Sequence, residues 1–127
     1  GAAVGAEPLL PDSAARAYRL EQFEDFLALE QGAADNTREA YGRDVRRFVA
    51  FALPTGAREP SAVTARTLRD FVYHLKDLGL APASIRRTVS AVRSYYRFLL
   101  GEGYVAKDPS ERLEAPARWR TLPEVLT

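Results

Sequence analysis

Apolar side chains recur at helical spacing in four stretches of the chain, and the alternation expected of a strand appears nowhere at useful length. Between about Ala15 and Gln31, Leu20, Phe23, Leu27 and, less regularly, Phe26 share one side of a helix, with Gly32 as a stop. A second helix opens at Asp35-Asn36-Thr37, any of which can cap it by accepting a free backbone N–H. Tyr41, Val45, Phe48 and Ala52 then fall on one face until Pro54 and Gly56 end the run. Gly42 costs that helix about 1 kcal/mol against alanine, so it either admits a close neighbour or is simply tolerated.

The third helix begins near Thr64, with Val63 and Leu68 placed as a hydrophobic staple. Leu68, Phe71, Val72, Leu75 and Leu78 form its inward stripe, and Gly79 stands where a left-handed residue closes a helix. Pro82 suits the first position of a fourth helix, which runs to about Glu102 before Gly101 and Gly103 break it. Residues 1–14 lack any period and read as a mobile leader. After Tyr104 the pattern thins into Asp108-Pro109, Pro116 and Leu122-Pro123, so residues 108–127 read as an extended linker with one helical turn near Ser110 to Leu113. The expectation is an all-α domain of four helices over residues 15–107.

With 127 residues, 46% hydrophobic and 28% charged, the chain has the composition of one soluble globular domain. The lack of cysteine excludes disulfides, thiolate nucleophiles and cysteine-containing zinc sites. No apolar run reaches the ~18 to 20 residues that span a bilayer, and the N-terminus has no signal-peptide pattern, so a cytoplasmic location without a membrane partner is expected. Neither a glycine-rich phosphate loop nor metal-ligand spacing occurs, and no cofactor or metal is expected.

A net charge of +1 does not by itself mark a nucleic-acid binder, but the charges are unevenly placed. From Arg16 to Asp35 two arginines face five acids; from Ala81 to Gly101 there are four arginines and no acid. Arginine accounts for 16 of the 18 basic residues, a bias that base composition explains as well as function does.

The fourth helix is the most informative stretch. Ile85, Thr88, Val89, Val92, Tyr95, Tyr96 and Leu99 occupy one sector, while Arg86, Arg87, Ser90, Arg93, Ser94 and Arg97 fall within an arc of roughly 120° opposite. A solvated helix face usually alternates signs to gain i,i+4 pairing. This face does not, and four guanidiniums with small hydroxyl residues between them suit a phosphate backbone at close range. The competing possibility is that acids of a neighbouring helix pair with the arginines. On the second helix Arg43, Arg46 and Arg47 lie opposite the apolar stripe, and Asn36, Thr37 and Arg38 stand at an N-terminus, whose free N–H groups favour a phosphate.

These residues resemble a known family. Asn36-Thr37, Tyr41, Arg43-Asp44-Val45 and Phe48 are similar to the second helix of the core-binding domain of tyrosine recombinases and phage integrases, particularly the bacterial Xer type. Ser90-Ala91-Val92-Arg93-Ser94-Tyr95-Tyr96-Arg97-Phe98-Leu99 resembles the end of its fourth helix. Asp108-Pro109, Leu113, Pro116 and Leu122-Pro123 resemble the proline-marked linker into the catalytic domain. Gly42 and Asp108 depart from the family pattern, where a better helix former and an asparagine are common.

The resemblance implies a SAM-like orthogonal four-helix bundle that forms one half of a clamp on double-stranded DNA, with its second and fourth helices against the major groove. It puts Asn36, Thr37, Arg38, Arg43 and Arg47 on the DNA side from the second helix, and Ser84, Arg86, Arg87, Ser90, Arg93, Ser94 and Arg97 from the fourth. Full-length members assemble as synaptic tetramers; the isolated domain is expected to be monomeric. Catalysis in the family uses a tyrosine, arginines, a lysine and histidines of the C-terminal domain. Here the single histidine, His74, has no partner of the kind a general base needs, and none of the six tyrosines has the basic cluster required to stabilise a phosphorane-like transition state, so no catalytic residue is assigned. Two other classes stay open at this point: a helical protein-interaction module docking through its acidic first helix, and a helix-turn-helix transcription regulator, which the short gap from Gly79 to Pro82 would permit.

Overall fold

The computed structural model describes residues 10–30 and 35–116, and all regular structure within them is helical. Five α-helices follow in order: α1 (Asp12–Ala17), α2 (Leu20–Leu29), α3 (Asp35–Ala52), α4 (Ala65–Asp77) and α5 (Pro82–Glu102), with short 3-10 turns at Leu53–Thr55 and Pro60–Ala62. Helices α3 to α5 match the second to fourth helices that the apolar periodicity predicts. Gly32, the leader up to residue 9 and the chain after Pro116, including Leu122-Pro123, lie outside the described residues.

Most local signals for α4 and α5 hold, but Leu78, expected on the inward stripe, falls at the C-cap of α4 and is 55% exposed, because the stripe ends at Leu75. The Thr64 hydroxyl accepts from the Thr67 N–H at 3.1 Å, and Val63 and Leu68 are both buried beneath that cap. Gly79 takes a φ of +86°, and the Leu80 N–H reaches back to the Leu75 carbonyl, closing α4 as a Schellman turn. Pro82 occupies the first turn of α5. Gly42 is a helical residue whose missing Cβ would sit 3.5 Å from the Glu24 carboxylate, an ordinary contact, so the fold tolerates this glycine without requiring it.

The first predicted helix is in fact two. It starts earlier than expected, at Asp12, with Ala14 buried, and breaks at Arg19, which adopts a left-handed φ of 57°. For a residue with a Cβ that conformation costs roughly 1 to 2 kcal/mol. The break frees the Tyr18 carbonyl, which a continuous helix would use four residues on. That carbonyl instead accepts the Tyr95 hydroxyl at 2.5 Å, while the Tyr18 hydroxyl donates to the Ala57 carbonyl at 2.6 Å. Arg19 itself lies over the Tyr104 ring, 4.2 Å from its centroid.

The core is one aromatic-rich cluster, with Phe23, Phe48, Phe71, Tyr95 and Tyr96 all buried. Helix α3 contacts α2, α4 and α5, and its seam with α5 is the most extensive in the bundle. His74, half-buried, packs its ring 5.0 Å from that of Phe51. Residues 108–116 do not run outward as an extended linker: Ser110 and Ala115 are buried on the bundle. The Asp108 carboxylate sets that turn by accepting from both the N–H and the hydroxyl of Ser110, at 2.8 and 2.6 Å.

Candidate nucleic-acid interface

The inward sector of α5 is buried as the periodicity requires: Ile85, Thr88, Val89, Val92, Tyr95, Tyr96 and Leu99 all face the core, joined by Ala91 and Phe98. Burying a phenol costs free energy unless its hydroxyl is paired. Tyr95 meets Tyr18, and the Tyr96 hydroxyl donates to the Pro60 carbonyl at 2.8 Å. Desolvation first, and neighbouring phenols second, hold the pKa of Tyr95 above its ordinary value. Tyr96 moves the same way through burial, then Tyr18 and Asp108. These tyrosines are structural.

The outward sector divides into edges and a crest. At the edge facing α3, Arg87 donates from Nε and Nη2 to the two oxygens of Asp44, at 2.8 and 3.0 Å. Asp44 is only 2% exposed, so an acid of the bundle does claim this member of the row. The hydrogen bond to Asp44 is the main cause that raises the Arg87 pKa, against a smaller lowering by desolvation. At the opposite edge Arg93 donates from Nη1 to the Leu113 carbonyl at 3.2 Å. Between them Arg86, Ser90 and Arg97 are exposed on the crest and Ser94 is half-buried, while Ser84, also half-buried, lies beyond Arg87 on the side away from the crest.

Helix α3 splits its candidates as well. Asn36 and Thr37 lie exposed in the first turn of the helix rather than before it. Arg43 is exposed and Arg47 half-buried, and among the described residues neither forms an ion pair. Because Asp44 meets α5, Arg43 and Arg47, one residue before and three after it, lie on the outward side of the α3–α5 seam at ~100° per residue. Arg38 points elsewhere. It lines an open groove of about 580 Å³ between α2 and α3 with Glu24, Leu27 and Gly42, a groove whose rim Arg43 also reaches. There Arg46 donates to one oxygen of Glu24 at 2.9 to 3.0 Å, and this carboxylate is far more open to solvent than that of Asp44.

Sequence reading missed Asp44 as a buried partner. It stands beside the apolar stripe, at the border between faces, and a carboxylate there is equally compatible with solvent. Its position next to the arginine-rich sector of another helix is visible only once α3 and α5 are packed.

A small all-helical domain with a cation-rich ridge on its last helix is the class that this fold defines. The chain belongs to the family described as phage integrase, N-terminal SAM-like domain, whose profile matches residues 20–103. It is similar to the tyrosine recombinase XerD of Bradyrhizobium diazoefficiens, 44% identical over 105 residues, covering 83% of this chain and 33% of that protein. The XerD of Halalkalibacterium halodurans is 36% identical over 109 residues, 85% of this chain and 36% of the relative. The tyrosine recombinase XerC of Xanthomonas campestris is 35% identical over 116 residues, 91% and 36% of the two chains. The chain thus spans about a third of the length of the curated relatives it matches. No solved structure gives a significant match.

Proposed function

We propose that this domain binds double-stranded DNA in a sequence-specific manner, as the N-terminal half of the clamp of a site-specific tyrosine recombinase acting in the cytoplasm. In this reading it supplies grip and register, and strand cleavage is the task of another domain of the recombinase. The observation that carries the proposal is the crest of α5. Arg86, Ser90 and Arg97 are exposed there, on a helix without a single acid from Ala81 to Gly101. Arg43 and Arg47 extend the same cationic surface across the seam onto α3. Phosphate neutralisation by such groups gives a log-log salt slope near −0.9 per contact, so about four to six contacts imply a steep loss of affinity between low and physiological salt.

Fluorescence anisotropy with a labelled duplex at low salt tests this directly. The Arg86→Ala/Arg97→Ala double variant should lose most of the affinity with its helicity intact. Unchanged affinity would remove α5 from the interface.

A contact between protomers has its own support. Helix α2 exposes Leu29 at 86%, beside Asp25 and Glu21, an apolar spot in an acidic setting that suits a protein rather than DNA. Sedimentation of the 127-residue chain alone should nonetheless give a monomer, since one such spot falls far short of a stable interface.

A further inference from the structure

The arginine of the ridge that a buried carboxylate holds is the one best prepared to grip a ligand. A guanidinium carries five N–H donors arranged along two forks. Asp44 occupies the side fork of Arg87, taking Nε–H and one N–H of Nη2. Three donors remain, one N–H each of Nη1 and Nη2 forming the end fork and the second N–H of Nη1 beside it. The Arg87 side chain is 40% exposed while the Asp44 side chain behind it is 3% exposed, so the guanidinium is backed by protein on one side and open on the other.

We propose that Asp44 is a positioning residue, which presents the end fork of Arg87 at the α3–α5 seam to a single phosphate oxygen pair or guanine edge of the duplex. The inference rests on the DNA-binding reading above and adds a division of labour to it. Arg86 and Arg97 contribute exposed charge on the crest. Arg87 contributes a fixed direction, because a bidentate carboxylate removes most of the rotamer freedom that binding would otherwise have to remove. Ser90 and Ser94, three and seven residues after Arg87, flank it along α5 with small side chains that leave room for a backbone to approach.

The sign of one substitution separates this from simple electrostatics. Asp44→Asn makes the domain more positive, and charge alone would then tighten its hold on DNA. Positioning predicts the opposite, weaker binding by about tenfold, since a directed charge-assisted contact is loosened. Arg87→Lys keeps the cation and its attraction to Asp44 but loses the fork. It should weaken duplex binding by a similar ~10-fold factor with the salt slope nearly unchanged.

Anisotropy with a labelled duplex, run alongside circular dichroism, reads both variants in the 127-residue chain. Should Asp44→Asn unfold, Arg87→Lys still decides the matter. If the wild type binds and Arg86→Ala/Arg97→Ala weakens it, yet folded Arg87→Lys binds like the wild type, the positioning role is overturned and the DNA-binding reading survives. If the wild type does not bind duplex at all, both are overturned.

Discussion

On the inner face of α5 polar atoms are few and each has one fixed partner: Tyr95 with the Tyr18 carbonyl, Tyr96 with the Pro60 carbonyl, and Thr88 with the Ser84 carbonyl at 2.9 Å. On the outer face they are many, and burial falls off with distance from the bundle. Arg87 and Arg93, at the two edges, are held by Asp44 and Leu113, while Arg97 on the crest forms no ion pair among the described residues. Water explains the gradient. An unpaired hydroxyl or carboxylate in the core costs its desolvation energy in full, whereas an exposed guanidinium is already hydrated and needs no partner to be tolerated. The inner face therefore fixes the fold, and the crest stays exposed to solvent.

The comparison can be broken most severely by alkali. The phenols of Tyr18, Tyr95 and Tyr96 all have pKa values raised by burial above the ordinary value of 10.0. The unfolded chain gives up these protons near pH 10 while the folded chain keeps them, so their contribution is intact below about pH 10 and lost as pH rises beyond it. The loss approaches ~1.4 kcal/mol per tyrosine for each pH unit above ~10. Urea unfolding at pH 9 and pH 11 measures it, and equal stabilities would mean that the inner network is open to solvent.

Removing an edge contact comes next. Arg87→Ala strands the buried Asp44 carboxylate and should cost about 2 kcal/mol, less than the ~3 to 5 for a fully buried pair because the guanidinium is partly hydrated. Tyr95→Phe keeps the ring and deprives the Tyr18 carbonyl of its donor, for a loss of about 1 to 2 kcal/mol in the same assay. At the far end, Arg97→Ala should change stability by less than ~0.5 kcal/mol while lowering duplex affinity. A large destabilisation there would show that the crest, too, belongs to the fold.

Much of the architecture was legible because helix formation is governed by neighbours in sequence. The stripe from Leu68 to Leu75 that buries α4, the Thr64 cap and the closure at Gly79 each depend on residues within a turn or two of one another. The two sectors of α5 are likewise a matter of ~100° per residue, which no distant contact can alter. The direction of the arginine row could thus be read, although its state could not.

Partner choice was decided across the fold. Asp44 and Arg87 are 43 residues apart, and Tyr18 and Tyr95 are 77 apart. Nothing local distinguishes Arg87 from Arg86, yet one rotation of 100° puts the first against α3 and leaves the second on the outside. The break at Arg19 has the same origin, since a left-handed residue persists there only where the packed structure offers compensation, as the buried hydroxyl of Tyr95 does for the freed carbonyl. Sequence determined which face each side chain would take, through backbone periodicity. Tertiary structure alone decided which polar groups would meet there, because desolvation and hydrogen-bond geometry act only once the helices have closed on one another.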